Sequence, residues 1–259
     1  MRYRALWIFI ALAMIAAAAA LYYFRPWDST RPPIPQAQAP APTPPPPAAE
    51  GPRFPLPAPP PEEKPLPKLN ESDATMLESL ASLMGAKAVA NFIQPESLIR
   101  HIVVTIDNLT RQTFAPQMSP LRLPGGALRT TGKGDTLAIS EENYKRYTPY
   151  VRLAEALDTK RAVEMYTRFY PLFQQAYVDL GFPGKHFNDR FVEVIDHLLA
   201  TPEVKGPVQL VVPHVLPEYA DPALQERSTG QKLLIRMGPA NAARVKAKLK
   251  ELRAELTRQ

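Results

Sequence analysis

Apolar and polar positions divide the chain into three stretches of different rhythm. Residues 5–24, ALWIFIALAMIAAAAALYYF, hold no charged side chain. At about 1.5 Å rise per residue they make a helix of about 30 Å, the thickness of the hydrocarbon layer of a bilayer. Tyr3 and Trp7 stand at one end and Tyr22, Tyr23 and Trp27 at the other, where amphipathic rings settle in a membrane interface. Arg25 ends the run. The pattern predicts an uncleaved single-pass anchor over residues 1–27. The alternative is a secretory signal cut after the small residues 16–20, against which the apolar run continues through residues 21–24. Arg2, Arg4 and the amino terminus precede the span, and this bias predicts a cytoplasmic N-terminus in the bacterial inner membrane with the C-terminal bulk in the periplasm.

From residue 68 the apolar period is mostly helical. Ser72 or Asp73 is placed to cap a helix bearing Met76, Leu77, Leu80, Leu83 and Met84, with Gly85 as its terminator. Pro95 and Glu96 are expected to open a second, in which Leu98, Ile99, Ile102, Val103, Ile106 and Leu109 form one stripe. Residues 127–131 and 136–140 flank Gly132-Lys133-Gly134 and predict a short hairpin. Ser140 starts a helical stretch reaching Leu157, bent or broken near Pro149. Asp158 caps a long helix carrying Val163, Tyr166, Phe169, Tyr170, Phe173 and Tyr177, and Asn188 caps the next. Residues 208–212 read as a short β-like run and 213–222 as irregular. Two more helices follow, around residues 231–237 and from Ala240 onward. The fold class predicted is mainly α: an anchor, a disordered linker over residues 28–67, and a helical domain with a minor β-hairpin over residues 68–259.

Composition explains the gap between anchor and domain. Of 31 prolines, 18 lie between Pro26 and Pro67, where each fixes φ and removes a backbone donor. Such a stretch favours extended polyproline II at about 3.1 Å per residue and serves as a spacer, or as a ligand for an aromatic groove. The chain has no cysteine, which excludes disulfides, thiolate metal clusters and a cysteine nucleophile. The formal net charge of +6 is unevenly placed: residues 68–226 sum to −3 and residues 227–259 to +7. In the last helix Arg244, Lys246, Lys248, Lys250, Arg253 and Arg258 surround an apolar seam of Val245, Leu249, Leu252 and Leu256. That is the pattern of an end helix packing by its seam, or of a basic face for an anionic surface.

Motifs for chemistry are few. His101, His186, His197 and His214 have no zinc-helix spacing, and no motif requires a cofactor or metal. The Gly125–Gly134 region departs from a phosphate-binding loop, because Ala127 and Gly134 occupy its required glycine and hydroxyl positions. No recognised module for nucleic acid is present. Glu193, Asp196 and His197 are the best acid–base candidates, Glu193 and His197 lying one helical turn apart, although such pairs are ordinarily helix-face contacts. The aromatic stripe of residues 166–177 suits either a helical core or stacking on sugar rings, with the core favoured.

Several strings in order, LPKLNESDA (66–74), DNL (107–109), NYKRYTPYV (143–151), YPLFQQAYVDLGFP (170–183), HLLATP (197–202) and QKLLIRMGPAN (231–241), resemble a bacterial envelope family known only as a domain of unknown function, number three-zero-one-four. The resemblance implies the anchor–linker–domain topology and a bacterial setting and supplies no catalytic residues. Polar groups inside these strings, Arg146, Tyr150, Gln174, Lys232, Arg236 and Asn241, are the candidate binding residues; buried hydrogen-bond roles are the alternative. The expected function is non-enzymatic binding of an envelope protein or wall polymer. The alternatives are a wall-acting hydrolase using Glu193, Asp196 and His197, and a membrane-surface or assembly factor led by the basic last helix.

Overall fold

A computed structural model describes residues 51–57 and 65–258. The predicted membrane anchor and most of the predicted linker lie outside the described residues; among those described, no helix is long and apolar enough to cross a membrane. The described chain is mainly helical, with two small antiparallel hairpins.

Helix α1 (Asp73–Met84) ends at Gly85, whose φ of 90° is open to glycine and strained for other residues. Gly85 ends α1 as the pattern predicts and is also an elbow: α2 (Ala86–Phe92) follows at once. None of its residues is fully buried, so its sequence carries no strong apolar stripe. Helix α3 (Leu98–Asn108) begins later than Pro95 predicts. Ser97 has a positive φ of 49°, and the Asp73 carboxylate accepts the N–H groups of Ser97 (2.7 Å) and Leu98 (2.8 Å). Asp73 thus caps a helix 24 residues away instead of only starting its own.

The first predicted hairpin is present as β1 (Thr130–Thr131) and β2 (Ala138–Ile139), in register Thr130↔Ile139. Helix α4 (Glu141–Lys145) is capped by Ser140, which accepts from Asn143 N, and Pro149 marks the start of α5 (Thr148–Ala156). Helix α6 (Thr159–Asp179) is capped by Asp158, as its pattern predicts, and runs on through Pro171. Helix α7 (Phe187–Leu199) takes His186 as its flanking residue; Asn188 is not the cap but a fully buried residue inside the first turn. The predicted β-like run of residues 208–212 holds strand β3 (Leu210–Val211), which pairs with β4 (Glu218–Tyr219) from the stretch read as irregular. Strand β4 is two residues long and directly follows Pro217, so no alternation announces it. The two hairpins meet where Ile139 N donates to Val208 O and Leu210 N to Leu137 O. Helices α8 (Pro222–Gln225), α9 (Thr229–Arg236) and α10 (Pro239–Leu256) complete the chain.

Helix α6 is the axis of the main core. Its aromatic stripe, Tyr166, Phe169, Phe173 and Tyr177, is buried against Ile99 and Val103 of α3 and against Phe187, Val192 and Ile195 of α7. Helix α7 is apolar on two sides: Val194 and Leu198 enter another cluster with Val151, Leu234 and Met237. The apolar seam of α10 packs as well, with Leu256 buried and Val245, Leu249 and Leu252 partly so.

Residues 51–57, inside the predicted linker, also belong to this core. Phe54 and Leu56 pack against the main cluster, as does Leu66. The folded body therefore extends N-terminal to the predicted boundary at residue 68.

Candidate functional site

The three acid–base candidates share helix α7 but not a cavity. Glu193 is largely exposed and pairs with Arg190 at 3.2 Å. Asp196 faces α10 and takes the guanidinium of Arg253. His197 Nε2 lies 2.8 Å from the Ser228 hydroxyl, a contact that the sequence pattern does not reveal. That contact has the elements of a nucleophile–base dyad but not its surroundings. Ser228 is the N-cap of α9, accepting from Gln231 N, and is almost fully buried. The neighbouring amides that could stabilise an oxyanion are already engaged, Thr229 N by Arg111 O (2.7 Å) and Gly230 N by Leu109 O (2.9 Å).

Burial pushes the His197 imidazole below the usual histidine range, with Arg190 and Arg227 acting the same way and Glu193 opposing. A histidine depressed in the folded state contributes stability above its unfolded pKa of about 6.5 and loses it as pH falls through the lower folded value. Thermal unfolding of wild type should therefore fall more steeply than that of His197→Gln between about pH 7 and pH 5. Parallel curves would show that His197 titrates alike in both states.

The side chains of four of the six candidate binding residues, Arg146, Tyr150, Gln174 and Asn241, are internal fasteners. Arg146 donates to the carbonyls of Pro124 (3.1 Å), Gly126 (3.1 Å) and Ala127 (2.8 Å) and so fixes the glycine-containing loop before β1. Tyr150 donates to Arg122 O, and Asn241 donates to Tyr144 O and Met237 O. Gln174 donates to Lys185 O and accepts from Phe187 N, tying α6 to the turn before α7. The carbonyl of Lys232 accepts the Tyr219 hydroxyl, and the Arg236 guanidinium lies 5.9 Å over the Tyr219 ring while its carbonyl accepts Asn143 Nδ2. Five of the six basic residues read on the last helix are likewise taken up, Arg244 by Glu155, Lys246 by Thr201 O, Lys248 by Glu251, Arg253 by Asp196 and Arg258 by Glu255, and Lys250 is exposed.

A strongly ionic concavity lies elsewhere, a cleft of about 430 Å³ between the end of α3, the end of α6, the start of α7 and residues 51–53. Asp107 organises it. On α3 it continues the buried line Ile99–Val103, and its side chain is only 4% exposed. Both oxygens are held: Oδ2 by Nε and Nη2 of Arg111, and Oδ1 by Nε of Arg190 at 2.9 Å. Arg190 also donates to Asp107 O and Thr110 Oγ1. Burial alone would lower this guanidinium, but the carboxylates of Glu193 and Asp107 outweigh it and raise its pKa. Tyr177 lines the same cleft, its phenol pushed up by burial and by the Asp107 charge. The signal that could have found this site is an acid standing on an apolar stripe with a basic residue four positions later. Among the described residues, no group of three His, Asp or Glu side chains is arranged to hold a metal ion.

Comparison with known proteins returns one finding. No curated protein and no solved structure matches the chain. The family described as Protein of unknown function (DUF3014) matches residues 98–253. That span runs from the first residue of α3 into the last turns of α10 and includes every cleft residue except Gly51 and Arg53. With more than half of its length matched, including the Asp107–Arg190 pair at the centre of the cleft, the chain belongs to the DUF3014 family.

Proposed function

We propose that the chain is a single-pass inner-membrane protein whose helical domain stands in the periplasm and binds an envelope partner, a protein or a wall polymer, without catalysing a reaction. The uncharged run of residues 5–24 and the proline block after it support the placement. The state of the cleft supports binding over catalysis. Its central acid is saturated by two guanidinium groups, whereas a general base needs a free lone pair toward the substrate. A domain on a long spacer gains effective concentration for a partner at a distance, which is the advantage that such a tether confers.

The test has two arms on the full chain in a bacterial envelope. A C-terminal alkaline phosphatase fusion should be active and a C-terminal cytosol-only reporter silent; the reverse pattern removes the periplasmic placement. A photo-crosslinking residue at position 185, on the cleft rim, should yield one discrete adduct that is missing when the crosslinker stands at exposed position 250 on the last helix. The same smear at both positions would mean that the cleft has no partner.

A further inference from the structure

We propose that the cleft is a receptor for an anionic oxygen group, carboxylate or phosphate, and that the docked segment of residues 51–57 supplies one of its ligands, Arg53. This rests on reading the domain as a binding module, and it names the chemistry and the device that controls it.

The docking comes first. The Asp189 carboxylate accepts two consecutive backbone amides, Arg53 N at 3.0 Å and Phe54 N at 2.9 Å, and Asn188 Nδ2 donates to Phe54 O at 2.8 Å. Three hydrogen bonds across more than 130 residues fix the Arg53–Phe54 backbone, and the Phe54 ring is seated on the main core. Arg53 is thereby placed on the cleft wall with an exposed side chain.

The charges of the cleft then sort themselves. Asp107 is saturated by Arg111 and Arg190, Glu193 pairs with Arg190, and both oxygens of Asp189 face the amides of the docked segment. On the cation side, Arg53 and Lys185 have no ion pair among the described residues; each lies 5.8 Å from the ring of a near neighbour, Phe54 and Phe182. Arg111 uses Nε and Nη2 on Asp107, and its side chain remains half exposed. The cations still able to bond from this wall are therefore two guanidinium groups and an ammonium, beside the largely exposed carboxylate of Glu193. Such donors recognise carboxylate or phosphate oxygens by charge-assisted hydrogen bonds. A volume of about 430 Å³ admits a small anionic group or the end of a larger chain, but not a folded surface.

Because one of these donors is carried by the docked segment, ligand binding and docking stabilise each other reciprocally. The test uses the full chain in neutral detergent, titrated calorimetrically with inorganic phosphate and, separately, citrate. Saturable binding of either supports the site, and the tighter probe assigns the source as phosphoryl or carboxylate. Arg53→Ala and Lys185→Ala should each weaken binding about tenfold, the size expected for one charge-assisted bond, with melting temperature unchanged. Asp189→Asn should weaken it comparably without removing a ligand contact. Bound anion should also slow hydrogen exchange at the Arg53 and Phe54 amides. No saturable binding, affinity indifferent to both Arg53→Ala and Lys185→Ala, or unchanged exchange at those amides would overturn the proposal. A crosslinked partner at position 185 that persists despite such a result would leave the binding function standing and remove only the anion site.

Discussion

Asp107→Ala is expected to destabilise the domain by about 3 kcal/mol, with the melting temperature falling by on the order of 10 °C. The magnitude follows from what remains. Removing the carboxylate leaves the Arg190 side chain, only 17% exposed, with its Nε unpaired and the largely exposed Glu193 as its remaining counter-charge, whereas Arg111 can turn to water. Breaking a buried pair on one side costs about 3–5 kcal/mol, and the half-exposed Arg111 places this case at the lower end. Calorimetric melting of the full chain checks it, and a loss under about 1 kcal/mol would mean that solvent already screens the pair. The Asp107→Ala/Arg190→Met double variant adds a second readout. If an unpaired charge is the source of the cost, the double variant recovers stability relative to Asp107→Ala alone; if the cost is lost packing, it is worse.

The largest loss from an apolar substitution is expected at Phe187, with Phe187→Ala costing about 3–5 kcal/mol. Phe187 is fully buried and its ring lies parallel to that of Phe173, at 3° and 5.8 Å between centroids. Tyr177 at 5.5 Å and Phe191 at 6.2 Å complete the cage. Alanine leaves a void among rings attached to two long helices, α6 and α7, which cannot both move in to fill it. Phe187 also begins α7 immediately before Asn188 and Asp189, so its truncation should speed hydrogen exchange at Arg53 and Phe54 as well as lower the melting temperature. Stability loss with unchanged exchange at those amides would show that the docked segment is held independently of the aromatic cage.

How far the chain could be read in advance depended on the range of the interactions involved. The α6 stripe of Tyr166, Phe169, Phe173 and Tyr177 repeats with the helical period, and Asp158 and Ser140 cap their own helices, so all of these are visible within a dozen residues. The β1–β2 hairpin is marked by its own glycines. Of the two cap candidates, Ser72 holds the N-cap position of α1, while the Asp73 carboxylate serves α3, which lies beyond the reach of a local pattern. Asn188 was misread because its amide serves Phe54, 134 residues earlier. The same limit applied to the site. Arg146, Gln174 and Asn241 stand among the candidate binding residues, and the structure gives their side chains backbone carbonyls within the fold as partners. Asp107 enters the sequence reading only within the DNL string, because an acid with an arginine one turn later is ordinarily a surface pair until α7 brings Arg190 against it. Proline counts also concealed Phe54: a segment of the form Pro-Arg-Phe-Pro-Leu-Pro has the composition of a spacer, and only the surface it meets makes it part of the core.

The seat of Arg53 and Phe54 on Asp189 has a mechanical consequence. A pull arriving along the chain at Gly51 is borne first by two amide hydrogen bonds that converge on a single carboxylate, and not by any helix. Those bonds are far weaker than the packed aromatic cage behind them, so the seam peels before the domain unfolds. Peeling frees the docked residues 51–57, on the order of 20 Å of chain at about 3.1 Å per residue. The domain can then absorb a sudden stretch and reseat when the tension drops.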